Sequence, residues 1–392
     1  MNRPSGDTSG IPQGMQQLLE IPFPQLVDLA LDRLMGQGEM VARVIENARP
    51  QVGGIVGAAN VRRIYLAGCG DSYSAALSAS HAFEQLTGLP TMACESMELA
   101  RYTLLPPDSL VVLISSGGEV NVTLEAGRVA RRAGAEVIGV TARQRGRMAQ
   151  EFPCLFTDPG FSGSEPADEA TLLTGNYSFT LAALYVIATR MGLALGQLDD
   201  RMVRRIEAEM DGIPGAITQA TGCSAAVREY LEAVSDGAVF HFVGAGPSFG
   251  VARFLQAKFL EQAQRPAYCV ELEEFLHEYF FALRPGGDAQ VWFIVPPGHS
   301  RERALEVMAG CQDANARVIA VATLRDVQVR EQAGLVFPVA PTSEMFSPLV
   351  GAMPGQLLAM NALAHWGGES FSVSLQERQL AVSRRLTREE TI

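Results

Sequence analysis

The chain has 392 residues, 47% of them apolar and 19% charged, and carries a formal net charge of −12. Such a chain buries a substantial core and has the length of two ordinary domains, which excludes a disordered polypeptide. The acidic balance excludes a sequence-independent nucleic-acid binder, which needs a basic face, and leaves any anionic ligand to be held by local donors.

In chain order, residues 1–50 read as a helical lead-in whose polar start lacks the basic-then-apolar order of a signal peptide. A first α/β domain is expected over 51–200. In it "IYLAGCGDSYSAAL" (64–77) is a strand-like run, then Gly-x-Gly, a small polar residue, an aromatic and a helical pattern. An acidic segment, "ACESMELA" (93–100), precedes the strands "SLVVLISSGGEV" (109–120) and "AEVIGVTA" (135–142). The longest apolar stretch, "FTLAALYVIATRMGLALG" (179–196), is interrupted by Arg190 and reads as a buried or interface helix rather than a membrane span. Residues 201–235 read as a helical link.

The pattern then repeats. "FHFVGAGPSFGVAR" (240–253), "CVELEEFL" (269–276), "AQVWFIVPPGHS" (289–300) and "ARVIAVAT" (316–323) match the first series in order and type, over an expected second domain at 236–376. Residues 377–392 form a tail. The six cysteines (Cys69, Cys94, Cys154, Cys223, Cys269, Cys311) form no CxxC pair and read as buried thiols of a reducing, cytoplasmic compartment.

Apolar strands alternating with helices imply parallel sheets covered on both faces. The expected fold class is α/β, with two tandem doubly wound, flavodoxin-like sheets in three α/β/α layers. Right-handed crossovers bring every strand-to-helix loop to one sheet edge. Gly68, Gly70, Gly117 and Gly118 sit in such loops beside Ser72, Ser115 and Ser116. Glycines there can simply make tight turns, or they can let backbone N–H groups cradle an anion at a helix N-terminus. Two loops from adjacent strands, each pairing glycine with serine, favour the cradle.

This arrangement resembles the tandem sugar-isomerase (SIS) domain family, notably the isomerase half of glucosamine-6-phosphate synthase and its deglycase and deaminase relatives. The likeness runs from "MQQLLEIP" (15–22) to about residue 385. "CGDSYSAAL" resembles the family's first sugar-phosphate loop, and "LISSGGEVNVTL" its second, usually Ser-Gln-Ser-Gly-Glu-Thr. The resemblance implies phosphate contacts at Ser72 and Ser115, and by position at Ser116 and Gly117; Gly70 and Gly118 join them as loop glycines that let the backbone approach the ligand. Gly117 and Val120 stand where a serine and a threonine hydroxyl normally serve, and Thr123, one turn later, is the expected compensation.

"FLQAKFLEQ" (254–262) resembles the family helix that bears a lysine and the catalytic glutamate, here Lys258 and Glu261. Three residues is about one helical turn, so both project from one face; by spacing alone a surface salt bridge is the favoured reading. "EEFLHEY" (273–279) resembles Glu-x-x-His-Gly-Pro and implies the ring-opening histidine at His277, with Glu274 a candidate partner. Glu278 and Tyr279 replace the Gly-Pro.

Ring opening suits a histidine, and proton transfer between C1 and C2 suits a desolvated carboxylate. No metal or cofactor is required, and the sequence has no HExxH or paired cysteines to hold one. Glutamine-driven amide transfer is not expected: no cysteine stands near the start, and Val382 occupies the place of the synthases' terminal lysine, with Arg384 and Arg385 beside it. The resemblance thus implies a deglycase or deaminase acting on an amino-sugar or Amadori-type sugar phosphate, with plain aldose–ketose isomerisation or non-catalytic sugar-phosphate binding as alternatives. It also implies a homodimer with composite sites; neither nucleic acid nor membrane is an expected partner.

Overall fold

The computed structural model describes residues 23–53, 60–157, 175–284, 287–366, 382 and 385–388. The lead-in segment 15–22 and Arg384 lie outside them.

Two five-stranded parallel sheets organise the described residues. In the first half β1 (Arg63–Gly68) leads into α1 (Asp71–Thr87), followed by β2 (Thr91–Glu95), α2 (Ser96–Arg101), β3 (Ser109–Ile114), α3 (Asn121–Arg132), β4 (Glu136–Thr141) and β5 (Cys154–Phe156). A buried helix, α4 (Asn176–Ala194), ends this half, and α5 (Asp200–Thr221) and α6 (Ser224–Glu232) lead to the second. There the series is β6 (Val239–Gly244), α7 (Pro247–Lys258), β7 (Ala267–Glu271), α8 (Leu272–His277), β8 (Ala289–Ile294), α9 (Arg301–Asp313), β9 (Arg317–Ala322) and β10 (Leu335–Pro338). The C-terminal α10 (Met353–Trp366) packs on α6, while the N-terminal helices Phe23–Met35 and Gln37–Val52 pack against α10 and α5.

The strand orders are β2-β1-β3-β4-β5 and β7-β6-β8-β9-β10, with every pairing parallel. Both are the flavodoxin-like order, with its switch point between the first and third strands of each half. The three inner strands of each sheet follow the apolar runs read from the sequence. The edge strands β2 and β7 were hidden inside the acidic segments, because five residues that pass directly into a helix leave no clear period.

Side chains alternate across the sheets as the two-residue strand period requires. Leu110, Val112 and Ile114 of β3 join Phe240, Phe242, Trp292 and Ile294 in one core shared by both halves. Val111 and Leu113 face outward to Leu124 and Leu99, and Val291 and Phe293 face Val307 and Phe275. The halves meet where α1, α4 and α7 pack together. The Tyr177 ring stacks on Phe254 with centroids 4.2 Å apart, and the Ser78 hydroxyl donates to the Pro247 carbonyl at 3.1 Å.

α4 is long and apolar enough to cross a membrane, but 83% of its most apolar window is buried within the fold. It is the expected core helix.

Candidate active site

The two Gly-x-Gly loops are backbone twins. Gly70 (φ 57°, ψ −126°) caps α1 and Gly246 (φ 54°, ψ −130°) caps α7. Both occupy a region open to glycine and strained for other residues. This turn places Asp71 at the start of α1, pointing across the junction to the end of α7.

There the Lys258 ammonium lies 2.9 Å from Asp71 Oδ2 and 2.5 Å from Glu261 Oε2. The lysine side chain is only 2% exposed, whereas Glu261 is 48% exposed. The surface-salt-bridge reading of Lys258 is therefore excluded: the lysine is sealed between the halves and only the glutamate faces outward. α7 passes at its end into a wide π turn, Phe259–Ala263, closed by Gln264 at φ 53°. That turn carries Glu261, and π turns of this kind concentrate at functional sites.

The electrostatics follow from burial. Desolvation raises the Asp71 carboxyl; Lys258 pulls it down and Glu261 pushes it up, leaving it at about 6. Burial alone would lower Lys258, but Asp71 and Glu261 outweigh it and hold the ammonium above its ordinary value. Asp71 Oδ1 is buried without a hydrogen-bond partner. Sequence reasoning missed Asp71. The available signal was a mismatch between the repeats, which have Asp71 in one loop and Pro247 in the other.

At the switch point of the first sheet, the Ser115–Val120 loop follows β3, the neighbour of β1, on the sheet edge from which Gly70 and Asp71 also emerge. Ser115 is buried, and the Gly118 N–H donates both to its carbonyl (3.0 Å) and to its hydroxyl oxygen (3.2 Å). The Gly118 N–H is thus spent inside the turn and is not a cradle donor, a correction to the expected set. The Ser116 carbonyl accepts from Ala142 N–H at 3.0 Å and from the Thr141 hydroxyl at 3.1 Å. Gly117 is half-buried, with nothing within 4 Å of where a Cβ would stand. Ser72, half-buried, donates its N–H to the Cys69 carbonyl at 3.1 Å. Val120 caps α3 without a side-chain bond.

Thr123 does not compensate for the missing hydroxyls. It is fully buried, 2.9 Å from Ser96 Oγ, on the side of the loop that faces α2. The apolar face of α3 turns the residue inward, so its hydroxyl serves helix packing.

The equivalent loop of the second sheet is filled from within. Glu344 accepts the His299 N–H at 3.1 Å and packs on Gly298. An internal carboxylate already occupies that loop, which leaves the first sheet's loop as the candidate site.

His277 ends α8 with its side chain 66% exposed, and its Nε2 lies 3.6 Å from Glu273. The acid beside it is Glu273, one turn back on the same face, and not Glu274. After His277 the chain enters a short 3-10 turn, Tyr279–Ala282, in place of the family's Gly-Pro. Arg385 and Val382 are exposed. The tail nevertheless returns to the first half, where Arg147 Nη1 donates to the Arg388 carbonyl at 3.3 Å. Among the described residues no group of three or more His, Cys, Asp or Glu side chains is disposed to hold a metal ion.

Residues 59–190 match the family model "SIS domain". The chain is 27% identical over 313 residues to the glutamine–fructose-6-phosphate aminotransferase (isomerizing) of Tropheryma whipplei, covering 78% of this chain and 50% of that protein. It is 28% identical over 306 residues to the protein of that name from Leifsonia xyli, covering 76% and 48%. The chain thus spans about half the length of these curated relatives.

Among solved structures, the C-terminal domain of glucosamine-fructose-6-phosphate aminotransferase from Francisella tularensis superimposes with a TM-score of 0.76 at 18% identity, covering 86% of this chain and 96% of that one. Glucosamine-6-phosphate deaminase from Thermotoga maritima gives 0.68 at 19%, covering 86% and 95%. Tagatose-6-phosphate ketose/aldose isomerase from Escherichia coli gives 0.69 at 18%, covering 87% and 93%. The likeness to these three is one of fold. Residues 59–190 thus match a SIS domain, and the sequence likeness to the curated relatives extends over about three quarters of the chain.

Proposed function

We propose that the chain is a deglycase or deaminase acting on a phosphorylated amino sugar or Amadori-type derivative. One observation carries the reading: a buried lysine bridges two carboxylates across the domain junction, beside the Gly-Ser loops of the first sheet. Burying such charges costs stability, and a module that only binds sugar has no use for them.

In this reading the Ser72 hydroxyl and the Ser115–Gly117 loop hold the anionic end of the sugar. His277, contributed by a partner subunit in a cytoplasmic homodimer, opens the ring. Glu261 then removes the carbon-bound proton next to the carbonyl or imine carbon. The electron pair forms an enediol or enaminol, and the proton returns to the neighbouring carbon. For a 2-amino aldose this yields a C2 imine, and water then releases ammonia and the ketose. For a 1-amino ketose it yields a C1 imine, and water releases the amine and the aldose. Lys258, sealed behind Glu261, holds that carboxylate in place through their ion pair.

Aldose–ketose isomerisation uses the same proton transfer without the hydrolytic step. One experiment separates the readings. Glucosamine 6-phosphate, fructosamine 6-phosphate and fructose 6-phosphate are each incubated with the chain in deuterated water and followed by proton NMR. Release of ammonia or amine with deuterium at C1 or C2 is the expected result. Isomerised fructose 6-phosphate without C–N cleavage would leave an isomerase. No exchange with any of the three would overturn the enzymatic reading.

A further inference from the structure

The site contains one carboxylate more than the reaction needs. Glu261 alone suffices to carry the proton, yet Asp71 shares its lysine from the other half of the fold. With the ammonium at 2.5 Å and no competitor, Glu261 would be neutralised by one full charge. A close opposite charge lowers a carboxyl pKa by about 1–3 units, which makes a poor base. Asp71 divides that charge and adds repulsion of its own.

We propose that Asp71 is a positioning residue that sets the basicity of Glu261 through their shared Lys258. This rests on the functional reading above for its purpose, but not for its test. The elements around α1 carry Lys258 and Arg253 of α7, Glu261 of the π turn, Tyr177, Tyr185 and Arg190 of α4, Arg63 and Tyr65 of β1, and Cys94 and Glu95 of β2; Arg63 pairs with Asp108 and Arg190 with Glu207. Arg253 is committed to the Tyr73 ring at 4.9 Å, Tyr177 is bonded to Ser78 at 2.8 Å, and Glu95 caps α2 and accepts from Cys69. Cys94 is held as a thiol by burial, which pushes it up to about 11. Lys258 and Glu261 are left as the two groups acting on Asp71.

The test is the titration of the Glu261 carboxyl by carbon-13 NMR, assigned by loss of its signal in Glu261→Gln. In Asp71→Asn the Glu261 midpoint should fall by about one pH unit. Asp71→Glu, which restores the carboxylate, should bring it back toward wild type. In a Lys258→Met background the asparagine substitution should have a smaller effect. Asp71→Ser carries the same expectation should the asparagine variant fail to fold. A folded Asp71 variant with an unmoved Glu261 midpoint overturns the proposal, even if its melting temperature falls, since a structural role alone predicts just that. Deuterium exchange into fructose 6-phosphate, measured against pH, should show its acid limb moving with the Glu261 midpoint. Absence of exchange in the wild type would sink the functional reading, while the titration still decides the role of Asp71.

Discussion

Gly250 on α7 lies flat against Ser78 on α1. A Cβ on Gly250 would come within 2.6 Å of the Ser78 amide nitrogen and of the Ser74 carbonyl oxygen. These neighbours are backbone, so they cannot swing aside. The contact seats α7 on α1, and Asp71 and Lys258 pair at 2.9 Å further along the same two helices.

Gly250→Ala should therefore destabilise the fold by about 1–3 kcal/mol, the usual cost of overpacking, despite alanine's better helix propensity. Urea unfolding measures the loss. If the variant were as stable as wild type, the two helices would have room to separate and the junction would not be rigid.

Glu261→Gln keeps the shape of the side chain and removes the base, so turnover should fall about a hundredfold or more. His277 stands exposed at the end of α8 beside Glu273, consistent with service in a neighbouring subunit. Glu261→Gln subunits mixed with His277→Ala subunits should then recover activity in heterodimers that each hold one intact site. Verified subunit exchange without recovery would count against a shared site.

His241 gives the fold a definite acid sensitivity. It is 5% exposed and enclosed by the rings of Tyr268, Phe275 and Tyr279, and its Nδ1 has no hydrogen-bond partner. Burial lowers it to about 4. Between that value and the unfolded histidine's, about 6.5, the unfolded chain binds the extra proton. This contribution to stability is complete above the unfolded value and is lost as pH falls through the window, by about 3 kcal/mol in all. Asp71, raised to about 6, acts in the opposite sense, since its folded form gains the proton first as pH falls. His241→Phe should flatten the fall in melting temperature between pH 6.5 and 4 relative to wild type. An identical slope in the variant would place the acid sensitivity elsewhere.

The sheets were legible in the sequence because β1, β3, β6 and β8 are six-residue strands with at most one polar side chain each, followed by a glycine-containing loop or an abrupt loss of apolar character. Lys258 and Glu261 were legible as a functional pair only through the resemblance of their helix, since helical spacing that puts both on one face fits a surface salt bridge as well. Asp71 was not, because its partner lies in the other repeat and no local pattern joins them. Thr123 was misread for a related reason: the sequence shows a hydroxyl one turn into α3, but which way it faces is decided by the apolar neighbours that bury it against Ser96. Gly118 was misread because a loop's N–H groups can be consumed by its own turn, here by Ser115.

That last pair of corrections sharpens what the Ser115–Val120 loop can hold. With Gly118 and Thr123 both engaged elsewhere, the proposed anion contacts reduce to the backbone of Ser116 and Gly117, the hydroxyls of Ser72, Ser115 and Ser116, and the positive end of α3. Each absent neutral hydrogen bond is worth about 0.5–1.5 kcal/mol, so two fewer donors weaken a phosphate by up to about a hundredfold. The structure leaves room to replace them. A side chain at Gly117 meets nothing within 4 Å, and Val120 is only half-buried at the start of α3. Gly117→Ser combined with Val120→Thr should bind inorganic phosphate and fructose 6-phosphate more tightly, by about tenfold to a hundredfold, as measured by calorimetry. A gain of that size would mean that the native loop is tuned for weak phosphate binding or for a less charge-dense anion such as a carboxylate. Unchanged affinity, with wild type already binding the sugar phosphate tightly, would mean that the remaining donors and the helix N-terminus suffice and that the lost hydroxyls carry no information about the substrate.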